Sequence, residues 1–189
     1  MYFLVVFSCF FIFNADMVGL FYFFRAILST LLTFNAEYVT LKEKARRTFM
    51  LKNIPKIVSP ALIKVLCEMG HGDEIVIADG NFPSETNGQR VIRADGIGGE
   101  EMLDAVLSLI PLDTYATENL LLMQTVSGDP TPEIWDKYFA IAKKHDKNLR
   151  AGNLERFAFY ERAKKAYAVI ATGEGAIYAN VIIKKGVIQ

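Results

Sequence analysis

Ser59-Pro60-Ala61-Leu62-Ile63-Lys64-Val65-Leu66-Cys67-Glu68-Met69-Gly70-His71-Gly72-Asp73-Glu74-Ile75-Val76-Ile77-Ala78-Asp79 reads as one helix followed by one buried strand, and that pair sets the fold class. Ser59 can accept a hydrogen bond from an orphan N–H, and Pro60 fits the first helical position. Leu62, Val65, Leu66 and Met69 recur at i, i+3, i+4 and i+7, with Gly70 placed to stop the helix. Residues 74–78 form a short apolar run of β-branched type, the pattern of a strand covered on both faces. Asp79 closes it, and ligands in open α/β sheets gather at the carboxyl ends of strands. An Asx turn before Gly80 explains an aspartate there equally well.

The same grammar continues downstream. Residues 80–88 hold Pro83 and Asn87-Gly88 and predict a loop. Residues 89–94 predict a strand, and 100–109 a helix with Met102, Ala105, Val106 and Leu109 inward. Residues 119–126 predict a third strand. Thr131-Pro132-Glu133 opens a helix to about His145, carrying Ile134, Tyr138, Ile141 and Ala142 on one stripe. The polar stretch 143–153 predicts an exposed helix end and loop, with His145 in solvent. Residues 156–166 have helical character, 167–171 look like strand, and Gly173-Glu174-Gly175 turns the chain into a last strand over 177–184. Alternating strands and helices predict an α/β sheet sandwiched between helices.

Composition removes several function classes. The 189 residues fit one domain, and 52% apolar content can bury a core. A formal net charge of zero offers no basic surface to displace counterions, so no nucleic-acid partner is expected. Two cysteines, Cys9 and Cys67, and two histidines, His71 and His145, supply neither a disulfide framework nor a zinc ligand set. The cysteines are expected to be buried free thiols in a reducing cytoplasm. Gly96-Ile97-Gly98-Gly99 lacks the third glycine of a dinucleotide loop, where Glu101 stands, and no phosphate loop occurs elsewhere. No metal and no cofactor are expected.

Residues 1–49 differ from the rest, holding ten of the fourteen phenylalanines. Asp16 and Arg25 interrupt the apolar run, which makes a bilayer span marginal, and no basic residue precedes it as in a secretory signal. Arg46-Arg47-Thr48-Phe49-Met50 can be encoded as AGG AGG, two further codons and ATG, the pattern of a ribosome-binding sequence before a start. Met50 is therefore the expected initiator, with 1–49 an upstream extension, or else a membrane segment if residues 1–34 are translated. The catalytic unit is expected at 50–189.

His71 stands between two glycines, so a ligand could approach it closely, although a capping or surface histidine fits as well. Arg156-Phe157-Ala158-Phe159-Tyr160-Glu161-Arg162 mixes basic and aromatic residues, and as pattern alone is an amphipathic helix. Tyr178-Ala179-Asn180 alternates like any half-buried strand.

Taken together these blocks carry more. Gly70-His71-Gly72-Asp73-Glu74, Asp79 with Phe82-Pro83, Val91-Ile92-Arg93-Ala94-Asp95-Gly96, the 156–163 block, Thr172-Gly173-Glu174, Tyr178-Ala179-Asn180 and Lys184-Lys185-Gly186-Val187 run in order over 50–189. In combination they resemble the ribose pyranase and fucose mutarotase family, on its L-fucose branch. The resemblance implies a three-layer α/β/α sandwich with a mostly parallel or mixed sheet. It implies a cytoplasmic, cofactor-free isomerase that opens and recloses a reducing sugar ring, L-fucose first and D-ribose as the alternative. A non-catalytic sugar-binding module is a third reading. The resemblance further implies a homo-oligomer, commonly a decamer, with sites near subunit contacts. Carried over by position, His71 matches the proton donor, and Asp79, Arg156, Tyr178 and Asn180 match sugar-binding positions, with Ala179 between the last two; by its chemistry Tyr178 is a second catalytic candidate, able to donate or relay a proton. Ribose pyranases usually have histidine where Arg156 stands. Gly80-Asn81 departs from the Ala-His often found after the aspartate in the fucose branch.

Overall fold

The computed structural model describes residues 51–188, and the expectations for residues 1–49 lie outside them. The described chain runs α1 (Pro60–Glu68), β1 (Glu74–Ala78), α2 (Ser84–Asn87), β2 (Val91–Ala94), α3 (Gly99–Leu107), β3 (Leu120–Met123), α4 (Ile134–His145), β4 (Ala151–Leu154), α5 (Arg156–Ala163), β5 (Ala168–Thr172) and β6 (Val181–Lys184).

The six strands form one sheet in the order β2-β5-β1-β6-β3-β4. β1 pairs in parallel with β5, in the register Ile75↔Ala168 to Ala78↔Ala171. On its other side β1 meets β6 antiparallel, from Glu74↔Lys184 to Ile77↔Val181. β2 is parallel to β5 and β4 is parallel to β3, whereas β6 runs against both neighbours. The sheet is therefore mixed, and its reversal lies at β6.

Because side chains alternate along a strand, β1 feeds two cores. Ile75 and Ile77 point into the larger one with Leu62 and Leu66 of α1, Met102 and Val106 of α3, and Trp135 and Tyr138 of α4. Val76 and Ala78 point the other way, to Phe159 and Ala163 of α5 and to Phe82. Helices thus cover both faces, the three-layer arrangement expected. All four of these β1 residues are fully buried, which explains their unbroken apolar run.

Ser59 caps α1 as its residue type predicts, accepting from the Leu62 N–H at 3.2 Å. The far end of α1 is satisfied by Lys185, whose ammonium donates to the Leu66 and Met69 carbonyls. That contact between distant segments has no local signal.

Several expectations need correction. The predicted loop over 80–88 contains the short helix α2, closed by the Gly88 N–H to the Ser84 carbonyl at 2.8 Å and the Asn87 amide to the Pro83 carbonyl at 3.1 Å. The polar loop at 143–153 ends in an edge strand, β4. An edge strand pairs on one side only and has no apolar requirement on its outer residues, so Gly152 and Asn153 are tolerated. The last strand begins at Val181 rather than 177, and the third spans 120–123. His145 is not in solvent: its ring is mostly covered and its Nε2 lies 2.8 Å from Asp104 Oδ1 of α3. Cys67 is an exposed free thiol, not a buried one, because it falls on the outer face of α1.

Candidate active site

The carboxyl end of β1 and the start of β6 meet around one polar pair. Asp79 follows β1 and Asn180 precedes β6, so antiparallel pairing brings residues 101 positions apart together. The Asp79 N–H donates to Asn180 Oδ1 at 2.9 Å, and Asn180 Nδ2 donates back to Asp79 Oδ2 at 2.7 Å. The Asn81 N–H donates to Asp79 Oδ1 at 2.9 Å, the Asx turn its position suggested. Only 4% of Asp79 is exposed. Burial raises its carboxyl above the ordinary aspartate value, against the opposing pull of the Asn81 N–H and the Asn180 amide.

Tyr178 departs most from the expected strand pattern. Its φ of 57° is left-handed, a conformation a tyrosine rarely adopts, so the chain leaves the extended path of a strand there. Two buried helix residues hold this conformation. Trp135 Nε1 donates to the Tyr178 carbonyl at 3.0 Å, and the Tyr138 hydroxyl donates to the Ala179 carbonyl at 3.1 Å. Burial pushes the Tyr138 hydroxyl well above the usual tyrosine range, so it remains a donor. Gly99 at the start of α3 leaves the space that Tyr138 needs, since a Cβ there would collide with the hydroxyl. The Tyr178 hydroxyl donates to Asp129 Oδ2 at 2.5 Å, and this carboxylate raises the Tyr178 hydroxyl above its ordinary range.

Asp79, Arg156, Tyr178 and Asn180 line a single pocket of about 200 Å³ with Asn81, Phe82, Met123, Tyr160 and Ile177. Arg156 opens α5, and its Nε is buried with no hydrogen-bond partner among the described residues. Buried donors are nearly always paired, and this one is left available to an acceptor. One wall is apolar, with Phe82 packed edge-on against Tyr160 at 5.5 Å. Ala179, expected at the site, does not line this pocket: its methyl group is buried in the larger core.

His71 is not in this pocket. It lies before β1, at the opposite end of the strand, and five residues at about 3.3 Å each separate the two ends by roughly 16 Å. Gly72, at φ 86°, uses the freedom expected of a flanking glycine, and its N–H is held by the Lys185 carbonyl at 2.9 Å. The imidazole Nε2 is 3.1 Å from Asp113 Oδ1, and the ring meets Tyr115 edge-on at 5.5 Å. Nothing local in the sequence marks Asp113 or Asp129, because both meet their partners only through tertiary contacts. Among the described residues no group of three or more His, Cys, Asp or Glu side chains could hold a metal ion, and no helix is long and apolar enough to cross a membrane.

The model of the RbsD / FucU transport protein family matches residues 52–188. The chain belongs to this family. It is 49% identical over 147 residues to the fucose mutarotase of Bos taurus, covering 74% of this chain and 95% of that one. A crystal structure of the fucose mutarotase from Streptococcus pneumoniae in complex with L-fucose is 50% identical, with a TM-score of 0.71, and spans 74% of this chain and all of that one. The structure of Bacillus subtilis RbsD complexed with D-ribose is 23% identical with a TM-score of 0.59 and shares the fold. The family membership agrees with the resemblance seen in the sequence, as does the mixed three-layer architecture.

Proposed function

We propose that this chain interconverts the anomers of L-fucose by opening and reclosing its ring, and that the pocket between β1 and β6 holds the sugar. The observation that carries this reading is the combination of a buried acceptor, Asp79, and an orphaned donor, Arg156 Nε, across one small pocket with an apolar wall. A sugar supplies hydroxyls that both donate and accept, and a buried site left unpaired by the wrong ligand penalises it. The volume is below the range of about 300–1,000 Å³ typical of drug-sized ligands, which suits one sugar ring. Fucose carries a methyl group that ribose lacks, and Phe82, Met123 and Ile177 offer it a surface. Relatives at about half identity bear the name fucose mutarotase, and these arguments favour fucose over ribose.

Ring opening removes a proton from the anomeric hydroxyl and delivers one to the ring oxygen; reclosure on the other carbonyl face reverses both transfers. Tyr178 already donates to Asp129, so its oxygen is free to accept the anomeric proton as its own passes to the carboxylate. His71 as imidazolium supplies the proton to the ring oxygen. A histidine suits the task because its ordinary pKa, about 6.5, lies near neutrality.

In one chain His71 and the pocket are at opposite ends of β1, so in this reading a second copy brings its His71 to the pocket. Such head-to-tail contact closes into a ring when the rotation permits. Apolar side chains are exposed at both ends: Phe157 and Ile177 beside the pocket, Tyr115 beside His71. An exposed thiol at Cys67 fits a reducing compartment, and we place the enzyme in the cytoplasm.

Saturation-transfer NMR of L-fucose with catalytic amounts of protein tests the activity directly. Enhanced anomer exchange is expected, faster for L-fucose than for D-ribose, and absence of enhancement with either sugar would leave a binding module. Subunit sharing is tested by mixing inactive His71→Ala and Tyr178→Phe proteins after dissociation and reassembly. Random hybrids of a shared site regain about a quarter of wild-type exchange. Mixtures that stay inactive, or a fully active monomer by light scattering, would overturn it.

A further inference from the structure

Asp113 is a buried carboxylate with an unusual amount of structure devoted to fixing it. Its side chain is 5% exposed, while that of the histidine it touches is 45% exposed. Its N–H donates to the Lys184 carbonyl at 3.0 Å, and its own carbonyl accepts from Asn119 Nδ2 at 2.9 Å. The segment before it is stitched to β6 by the Leu112↔Lys185 bridge. Oδ1 accepts from the Tyr115 N–H at 2.9 Å and faces His71 Nε2 at 3.1 Å. Burial works against ionisation of Asp113, but the Tyr115 N–H and His71 outweigh it and hold the carboxyl below its ordinary range.

A carboxylate only accepts, so the His71 nitrogen facing it must carry the proton. A half-turn of the ring would replace that nitrogen with a carbon and leave Oδ1 without its side-chain partner, which makes the orientation definite. Tyr115, packed against the ring edge-on, restrains its rotation on another side. Nδ1 makes no hydrogen bond among the described residues.

We infer that Asp113 is the positioning residue of His71: it fixes the neutral imidazole as the Nε2–H tautomer, so that Nδ1 is the nitrogen that exchanges protons with the sugar. The inference rests on the reading that His71 transfers protons. Asp113 never touches the sugar; it acts through the ring, as a buried carboxylate does wherever it orients a catalytic histidine. When Nδ1 accepts a proton the ring becomes imidazolium and Asp113 stabilises the charge; when Nδ1 gives it up the ring returns to the Nε2–H form. No proton moves to Asp113.

The test combines spectroscopy and kinetics on the full chain. With only two histidines, ¹⁵N-histidine labelling plus a His145→Gln variant assigns both His71 nitrogens. In the wild type above the ring's titration, Nε2 should show the protonated shift and Nδ1 the bare one. Asp113→Asn keeps an acceptor for the Tyr115 N–H but loses the charge. It should yield a tautomer mixture and lower kcat by roughly 10–100-fold with KM for L-fucose unchanged. Asp113→Glu should recover part of the loss. A wild-type ring protonated mainly on Nδ1 overturns the inference without any variant, as does an Asp113→Asn protein with unaltered kcat. A fully active His71→Ala protein would instead sink the assignment of His71 itself, a separate outcome.

Discussion

Asp79→Asn exposes the logic of the sugar pocket most directly. In the wild type both carboxylate oxygens accept, Oδ1 from the Asn81 N–H and Oδ2 from Asn180 Nδ2, while the Asp79 N–H is taken by Asn180 Oδ1. An asparagine presents one oxygen and one NH2. Whichever way it turns, one of those two donors then faces another donor, so a single hydrogen bond is lost at a site only 4% exposed. A hydrogen bond to a charged group is worth about 1.5–3 kcal/mol, and removing a buried charge returns part of that. The net loss of stability should be about 1–2 kcal/mol, a fall in Tm of roughly 3–10 °C for a domain of this size. Sugar binding should suffer more. If a fucose hydroxyl donates to this carboxylate, losing that bond weakens affinity by roughly 10- to 150-fold, while kcat at saturating fucose changes little. KM and kcat from NMR exchange over a fucose series, with a melting curve on the same sample, read all three quantities. A variant with lowered Tm but wild-type KM would remove Asp79 from the sugar contact and leave it as a structural pair with Asn180.

His71→Ala should lower anomer exchange by roughly 10²-fold or more, the usual scale for one acid–base group. Removing the ring also takes from the buried Asp113 carboxylate its side-chain partner, so Tm should fall by roughly 3–10 °C while the protein stays folded. Large loss of Tm with normal exchange per folded molecule would make the histidine structural. The pH dependence of stability has a definite sign at Asp79. Its folded value is raised above 3.8, so its contribution is fully present below the unfolded value and is lost as pH rises through the folded one. The gap in Tm between wild type and Asp79→Asn should therefore narrow from the acid range towards neutrality, and a widening gap would contradict the direction of the shift. Prolonged chelation followed by desalting should leave exchange unchanged, and activity restored by zinc or magnesium would overturn the cofactor-free reading.

The layers are legible in the order of residues. Ser59-Pro60 and the Leu62, Val65, Leu66, Met69 stripe specify α1, and the apolar run of β1 specifies a strand buried on both faces, because capping and periodic burial are local properties of the chain. The sequence also carried the family through ordered blocks, with Asp79, Arg156, Tyr178 and Asn180 among them. What it lacked were features created by distant partners. β4 is an edge strand whose outer face makes no apolar demand, so its Gly152 and Asn153 read as loop. The left-handed Tyr178 is imposed by Trp135 and Tyr138 of α4, and no neighbour in sequence announces it. Asp113 and Asp129 look like ordinary turn aspartates until folding places one against His71 and the other against Tyr178. Above all, the sequence joins His71 and Asp79 as near neighbours, eight positions apart. Only the tertiary structure puts them at opposite ends of a rigid strand, because an extended chain separates what a sequence places side by side.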